Sequence, residues 1–426
     1  MRIAIVSVVY AAAALVGACS GGGGGEDGGP GSDVPAGADS GDVADVASGT
    51  GDGSTGEDTG TPDAGNTFPP EEQTAFHEKG LIIPQNSLPC TKVSTGETIT
   101  ECNHHGSTIA ELPDGTIGVV WFHGEYEKSL DSRNVWSRLA PGAKEWTAPE
   151  VVYDDPGRSE GNAAIWVGPD GTLYVYFVTI FGDPPVWDES KIRMTKSTDG
   201  GRTWAEPVFL REEYCWMARM RPLRLDAGRL ILPLYNECLA IPVFMYADAE
   251  DGPWVEQEWG DYLADYLAEH VTQIQPALIQ RSNGDVVAYT RDGSERRRVG
   301  IMVSRNNGRN WTKSIATGLP NSGTSIDAVR LLDGHVMVVY NNSPTDRFPL
   351  AVALSTDEGE TFAYNRHINA ECESPGACSY AYPSIAQSTI DGAIWVSYTH
   401  NRETIGWVHF NEKWIMESTD PINIGE

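Results

Sequence analysis

Hydrophobic and polar positions alternate in short runs along most of the chain, and six of those runs open in the same way. Each follows a tight turn that ends in glycine: "PDGTIGVVW" at Gly115, "PDGTLYVYF" at Gly171, "DAGRLILPLY" at Gly228, "SNGDVVAYT" at Gly284, "LDGHVMVVY" at Gly334 and "IDGAIWVSY" at Gly392. The glycines fall 56, 57, 56, 50 and 58 residues apart. A period of two predicts strands, and an aromatic closes each unit: Trp146, Trp204, Trp254, Trp311, Phe362 and Trp414. One small sheet cannot bury both of its faces alone, whereas several arranged in a ring can. Six such units predict an all-β, six-bladed propeller over residues 75–426.

A second repeat lies between these turns. "STDGGRTW" (Ser197–Trp204) returns as "SRNNGRNW" (Ser304–Trp311) and "STDEGETF" (Ser355–Phe362). The Ser and Asp side chains are expected to bond their own turn backbone, the glycine to take a positive φ, and the aromatic to pack between blades. That places the motif on the outer rim, where Asp199 and Asp357 have no catalytic part. One stretch breaks the strand pattern. Gln257–Gln273 carries Tyr262, Leu263, Tyr266 and Leu267 at helical spacing and predicts a helix inserted between blades.

The N-terminus changes the picture. Residues 1–18 hold one Arg and an apolar, Ala-rich run of secretory length, ending at "VGAC". The run is too short for a comfortable membrane span. "VGAC" resembles a bacterial lipobox, which implies cleavage before Cys19 and a lipid on its thiol. Residues 19–70 are Gly, Ser, Asp, Ala, Thr and Pro with almost no apolar side chain, a composition for a solvated tether. An exported monomer held to the cell envelope by its lipid anchor follows from the two together. The formal charge is −30, from 60 acidic and 30 basic residues, a balance that repels nucleic acid. Six further cysteines in an exported chain predict disulfides. The local pairs Cys90–Cys102, Cys215–Cys238 and Cys372–Cys378 cost least in loop closure. No CxxC or HxxxH spacing points to a metal, and no cofactor motif is present.

Six blades with these turns resemble the sialidase (neuraminidase) superfamily, in its bacterial BNR-repeat branch. The resemblance implies a Tyr nucleophile, an Asp acid/base, an activating Glu and three arginines on a sugar carboxylate. "VVAYTR" supplies Arg291, and "SPTDRFPLAVALSTDEG" supplies Arg347. "SYAYPSIAQS" offers Tyr382 as the nucleophile, with Tyr380 beside it. The loop "FHGEYEKSLDSR" offers Asp131 as the acid, with Glu125 and Glu127 nearby. Two positions depart from the pattern. "CNHHGSTIAELPDG" places His104 or His105 where the first arginine is expected. "TQIQPALIQ" places Gln275 where the Glu is expected, and an amide is no base for a phenol. His123 ends the first hairpin strand close to His104 and His105, and Glu237 in "PLYNEC" is a further acid that could face the axis.

The resemblance implies exo-hydrolysis of a terminal acidic sugar from a glycan. The same residues also allow a uronate lyase, in which His and Tyr carry out β-elimination, or a propeller that binds glycan without turnover.

Overall fold

A computed structural model describes residues 68–258, 272–372 and 376–425. The leader, Cys19 and the tether up to residue 67 lie outside the described residues, as do residues 259–271 of the expected helix. Its C-terminal end differs from the expectation, because Gln273 opens a strand.

Six antiparallel sheets form the ring, one for each glycine turn. From the inside outward, the first blade is Asn103–Glu111, Ile117–Gly124, Arg133–Leu139 and Glu150–Tyr153. The second runs Ser159–Val167, Leu173–Ile180, Ser190–Ser197 and Val208–Arg211. The third has a broken inner edge, with Trp216–Ala218 and Leu223–Arg224 both pairing with Leu230–Asn236. The fourth begins at Gln273–Gln280 and the fifth at Asp327–Arg330. In the sixth, Tyr380–Gln387, Ile394–His400 and Thr404–Phe410 take their fourth strand from the start of the domain. His77–Leu81 pairs there from His77↔Phe410 to Leu81↔Gly406. The ordered fold starts earlier than residue 75. Phe68 packs on Gly392, and Asn411 Nδ2 donates to the Thr74 carbonyl.

The rim turns behave as their residue types require. In the first copy, Ser197 Oγ donates to Asp199 Oδ1 and accepts Gly201 N–H, while Asp199 also accepts the N–H of Thr203. Ser304 with Asn306, and Ser355 with Asp357, repeat the arrangement. The closing aromatics interlock neighbouring blades. Trp204 meets Trp136 of the first blade edge-on, and Trp311 stacks at 3.9 Å on Phe244 of the third.

The glycine serves this interlock as well as its own φ. A β-carbon at Gly201, where φ is 76°, would stand 1.8 Å from the Trp136 ring. Gly308 faces Ile231, and Gly359 faces Tyr289, with the same lack of room. Gly201→Ala is therefore expected to cost roughly 2–4 kcal/mol, from positive φ and overpacking together, with no change in ligand affinity. Chemical denaturation of the two proteins measures it, and an unchanged midpoint would refute it.

The three local disulfides are formed as the loop lengths suggested. Cys90–Cys102 pins a two-stranded flap, Cys90–Thr91 with Thr98–Ile99, over the first blade. Closing such short loops is worth on the order of 2–4 kcal/mol each at most in the chain-entropy model. Non-reducing peptide mapping should return these three pairs alone among the six cysteines.

Candidate active site

Four inner strands carry the same irregularity. Pairing slips between His105 and Thr108, Gly161 and Ala164, Ile274 and Ala277, and Ala381 and Ser384. At each slip one residue has positive φ: Gly106 (69°), Asn162 (50°), Gln275 (56°) and Tyr382 (51°). A bulge re-aims a side chain, and only the axis of a ring lets four blades bring such residues together. The contacts follow. Asn162 Nδ2 donates to Tyr235 Oη at 3.1 Å, and Gln275 Nε2 lies 3.5 Å from the same oxygen. Gln275 Nε2 also reaches Tyr382 Oη at 3.4 Å, and Arg291 Nη1 donates to that phenol at 3.2 Å.

Tyr382 is the centre of this group, with only 8% of its surface exposed. The His105 ring centroid lies 4.2 Å from its ring, and the guanidinium carbons of Arg219 and Arg347 lie 5.1 and 5.9 Å from its centroid. Burial pushes the phenol up. Glu127 adds to that rise, but Arg291, with the Gln275 bond and Arg347, outweighs both and brings the phenol below its ordinary value. The neighbouring Tyr235 goes the other way: burial and then Glu237 hold its phenol well above the usual range. Two tyrosines that share the Gln275 amide are thus shifted in opposite directions.

His105 is fully buried and stays neutral. Burial is the main cause, followed by the charges of Arg402, Arg347, Arg219 and Arg291. Thr399 Oγ1 accepts the Gly106 N–H and sits 2.9 Å from His105 Nδ1. With the hydroxyl proton directed to Nδ1, the imidazole carries its own proton on Nε2, which has no protein partner.

Two arginines here were not among the sequence candidates. Arg402, just beyond the last hairpin strand, reaches over the mouth and pairs with Glu127. It acts electrostatically on both His105 and Arg347. Arg219 lies beneath. It is wholly buried, and its Nη2 donates to the carbonyls of Ser107, Tyr382 and Pro383, tying three blades at the axis. Burial lowers its pKa to about 10, which leaves it charged at neutral pH.

Several expected residues lie elsewhere. Asp131 does not face Tyr382. It accepts the backbone N–H groups of Thr91 and Glu125 and the Ser129 hydroxyl, and so holds its own loop and the flap. The acid of that loop that turns to the mouth is Glu127, which meets Arg402 and accepts from Trp187 Nε1. His104 and His123 stack at 4.5 Å on the far side of the strand from His105. His104 takes the Trp121 N–H, and His123 Nε2 meets the Pro89 carbonyl under the flap. Burial drops His104 to about 3. Tyr380 packs against Tyr398 and His400 and gives its hydroxyl to the Glu371 carbonyl, lining a separate cavity. Glu237 does border the mouth. Burial raises its carboxyl, Arg291 opposes that rise, and Asp188, Lys128 and Glu127 also act on it.

A metal-type trio occurs away from the axis. Ligand atoms of Asp333, His335 and Glu412 lie within 4.8 Å of one another at the foot of the fifth blade. There His335 Nδ1 lies against both carboxylates, and its contact with Glu412 ties the Glu412–Met416 helix to the ring.

Comparison with known proteins fits this architecture. The model of the BNR repeat-like domain family matches residues 115–420. No curated protein matches the chain by sequence. Among solved structures, a protein of unknown function from Dyadobacter fermentans is similar at 16% identity and a TM-score of 0.63, over 78% of this chain and 98% of that one. The intramolecular trans-sialidase from Ruminococcus gnavus, in complex with oseltamivir carboxylate, is similar at 12% identity and 0.61, over 75% and 96%. The NanB sialidase from Streptococcus pneumoniae is similar at 12% and 0.59, over 73% and 69%. At these identities the likeness is one of fold. With its family model spanning most of the ring, the chain belongs to the BNR repeat-like domain family and is a sialidase-like six-bladed propeller.

Proposed function

We propose that the axial pocket hydrolyses a terminal acidic sugar from a glycan, with Tyr382 as nucleophile. The observation that carries this is the Tyr382 phenol, buried, bonded to Arg291 and Gln275, and lowered in pKa by the surrounding cations. Gln275 cannot take its proton; the arginine field does the work of a base by favouring the phenolate. Arg291, Arg347 and Arg402 grip the sugar carboxylate, a task that suits planar, two-pronged guanidinium groups. The phenolate oxygen then forms a bond to the anomeric carbon as the glycosidic C–O bond breaks, through an oxocarbenium-like transition state.

Glu127 donates the proton that the leaving oxygen needs. In the free protein it is paired with Arg402. A substrate carboxylate that draws Arg402 away removes that stabilisation and makes Glu127 a better acid-form donor. Glu127 next takes a proton from the water that displaces Tyr382, which regenerates both groups.

A fluorinated sialosyl fluoride, which slows the second step, should leave a covalent adduct on the peptide that contains Tyr382. Absence of any adduct while an aryl sialoside turns over would remove Tyr382 from the role. The pH profile gives a second check. Removing a cation raises the phenol, so Arg347→Ala should move the acid limb of kcat/KM to higher pH. An unmoved limb would mean that the limb does not report Tyr382.

His105, neutral and packed on Tyr382, favours β-elimination as a second reading. Products of that reaction carry a conjugated double bond that absorbs in the ultraviolet, and hydrolysis products do not. Export on a lipidated Cys19 is proposed with this function, and the mass of the mature N-terminal peptide tests it.

A further inference from the structure

The chain is strongly acidic, yet one part of its surface gathers cations over aromatic rings. On the third strand of the second blade, the Lys191 ammonium lies 5.0 Å from the Phe181 ring centroid, 5.8 Å from Phe209 and 5.3 Å from Tyr214. Arg193, two residues on, stands 4.5 Å from Phe209, and Arg158 stands 4.2 Å from Phe181. Phe209 and Tyr214 are 40% and 49% exposed, and they lie together rather than singly.

The charge is cancelled only in part. Asp155 serves both Arg158 and Arg193, at 3.7 and 3.1 Å. Glu189 folds back against Gly182. Among the described residues no carboxylate pairs with Lys191. In a protein with twice as many acids as bases, a lysine set among three rings and left without an acid is a place for an anion from outside.

The patch is continuous with the mouth of the pocket. The loop from Phe181 to Glu189 carries Trp187, which bonds Glu127 and packs on Phe122. Tyr214 precedes Cys215, whose N–H goes to the Asp188 carbonyl and whose disulfide leads to Cys238, next to Glu237. Rings spaced along a track, with cations between them, match a polysaccharide: sugar faces stack on the exposed rings and carboxylates meet the Lys191 ammonium and the Arg158 guanidinium, while Arg193, buried and bonded to Asp155 and Tyr153, supports the rings from beneath.

We propose that this surface of the second blade docks an anionic polysaccharide chain whose end enters the axial pocket. Only the direction of that chain rests on the hydrolase reading; the docking is measured without turnover. The test is affinity electrophoresis of the full chain in gels that contain polygalacturonate or, as a neutral control, dextran. Polygalacturonate should retard the parent protein and dextran should not. The double variant Lys191→Ala, Tyr214→Ala should lose roughly tenfold in apparent affinity, and the rest of its retardation should weaken with salt. Its thermal midpoint and its turnover of a small aryl sialoside should match those of the parent.

Equal retardation of parent and variant would overturn the proposal, as would retardation by dextran or none by polygalacturonate. Pelleting with phosphatidylglycerol vesicles that the double variant alone loses would also overturn it, by assigning the patch to a membrane surface. If neither protein turns over the aryl sialoside while retardation behaves as expected, the docking surface stands and the hydrolase reading falls.

Discussion

Arg291→Ala is expected to reduce kcat/KM for an acidic sugar by a factor of about thirty to several thousand while the ring stays folded. Arg291 has two duties in the proposed reaction. It bonds the Tyr382 phenol and the Gln275 amide through Nη1, and its other N–H groups are the ones that take the sugar carboxylate. Truncating one member of a buried charged pair costs roughly 2–5 kcal/mol, most of it from the partner left unpaired. Here the partners would be the substrate carboxylate and the developing phenolate, so KM should rise and kcat should fall together. Arg291→Lys should recover little, because an ammonium cannot reproduce the forked contact. Tyr382→Phe keeps the ring stack and removes the attacking oxygen; its loss should be about a thousandfold or more. Asp199→Ala, on the rim, should leave the kinetics unchanged. Steady-state kinetics with an aryl sialoside separate these cases. If Arg291→Ala and Asp199→Ala behaved alike, the carboxylate clamp would be given up.

Glu160→Gln should stabilise the domain, and by more the higher the pH. Glu160 opens the second blade's inner strand with no surface exposed, and burial raises its carboxyl to about 8. Its Oε2 accepts the Asp155 N–H, and its Oε1 has no partner. The folded state therefore holds this proton more tightly than the unfolded state, whose carboxyl titrates near its ordinary value of 4.5. Below that value both states are protonated and the group costs nothing extra. As pH rises from there to about 8 the unfolded chain gains by ionising and the folded one does not, so stability falls. The full effect is on the order of 3–5 kcal/mol. Glutamine keeps the acceptor for Asp155 and does not ionise. Denaturation curves should coincide for the two proteins near pH 4 and diverge by a few kcal/mol at pH 8. A constant gap across that range would show that Glu160 is not buried as a neutral acid.

The ring was legible in the sequence because it is made by local rules repeated six times. A glycine turn, a period-two run and a closing aromatic each act within about 50 residues, and their spacing survives in the strand order. The axial site was legible only in part. Arg291 and Tyr382 could be placed by their position in a blade. Strict alternation, however, sets Tyr380 and Tyr382 on one face, and His104 opposite His105. The bulge at Tyr382 breaks the first of these pairs: a positive φ turns Tyr382 to the axis and leaves Tyr380 between blades. A signal for two of the four bulges was present. Pro276 and Pro383 follow Gln275 and Tyr382, and proline inside a covered strand marks a bulge. Nothing comparable marks Arg219, Arg402, Tyr235 or Asn162, which meet across the ring from positions far apart in sequence. The different placing of Asp131 and Glu127 is hidden for a related reason. Both belong to one loop, and which acid turns inward depends on the flap that Asp131 holds.

The strand His77–Leu81 waits for Thr404–Phe410 through more than three hundred residues of chain. On the ribosome, blades can form one after another as they emerge, but the first has no far neighbour until the end of synthesis. The Tyr382 pocket shares this schedule. It takes side chains from all six blades, Arg347 coming from the fifth, and Tyr382 and Arg402 are among the last to appear. A nascent or C-terminally shortened chain thus contains most of the blades but lacks Tyr382 and Arg402, and so has an incomplete pocket. On the proposed function, competence arrives in one step, when the two ends of the domain find each other.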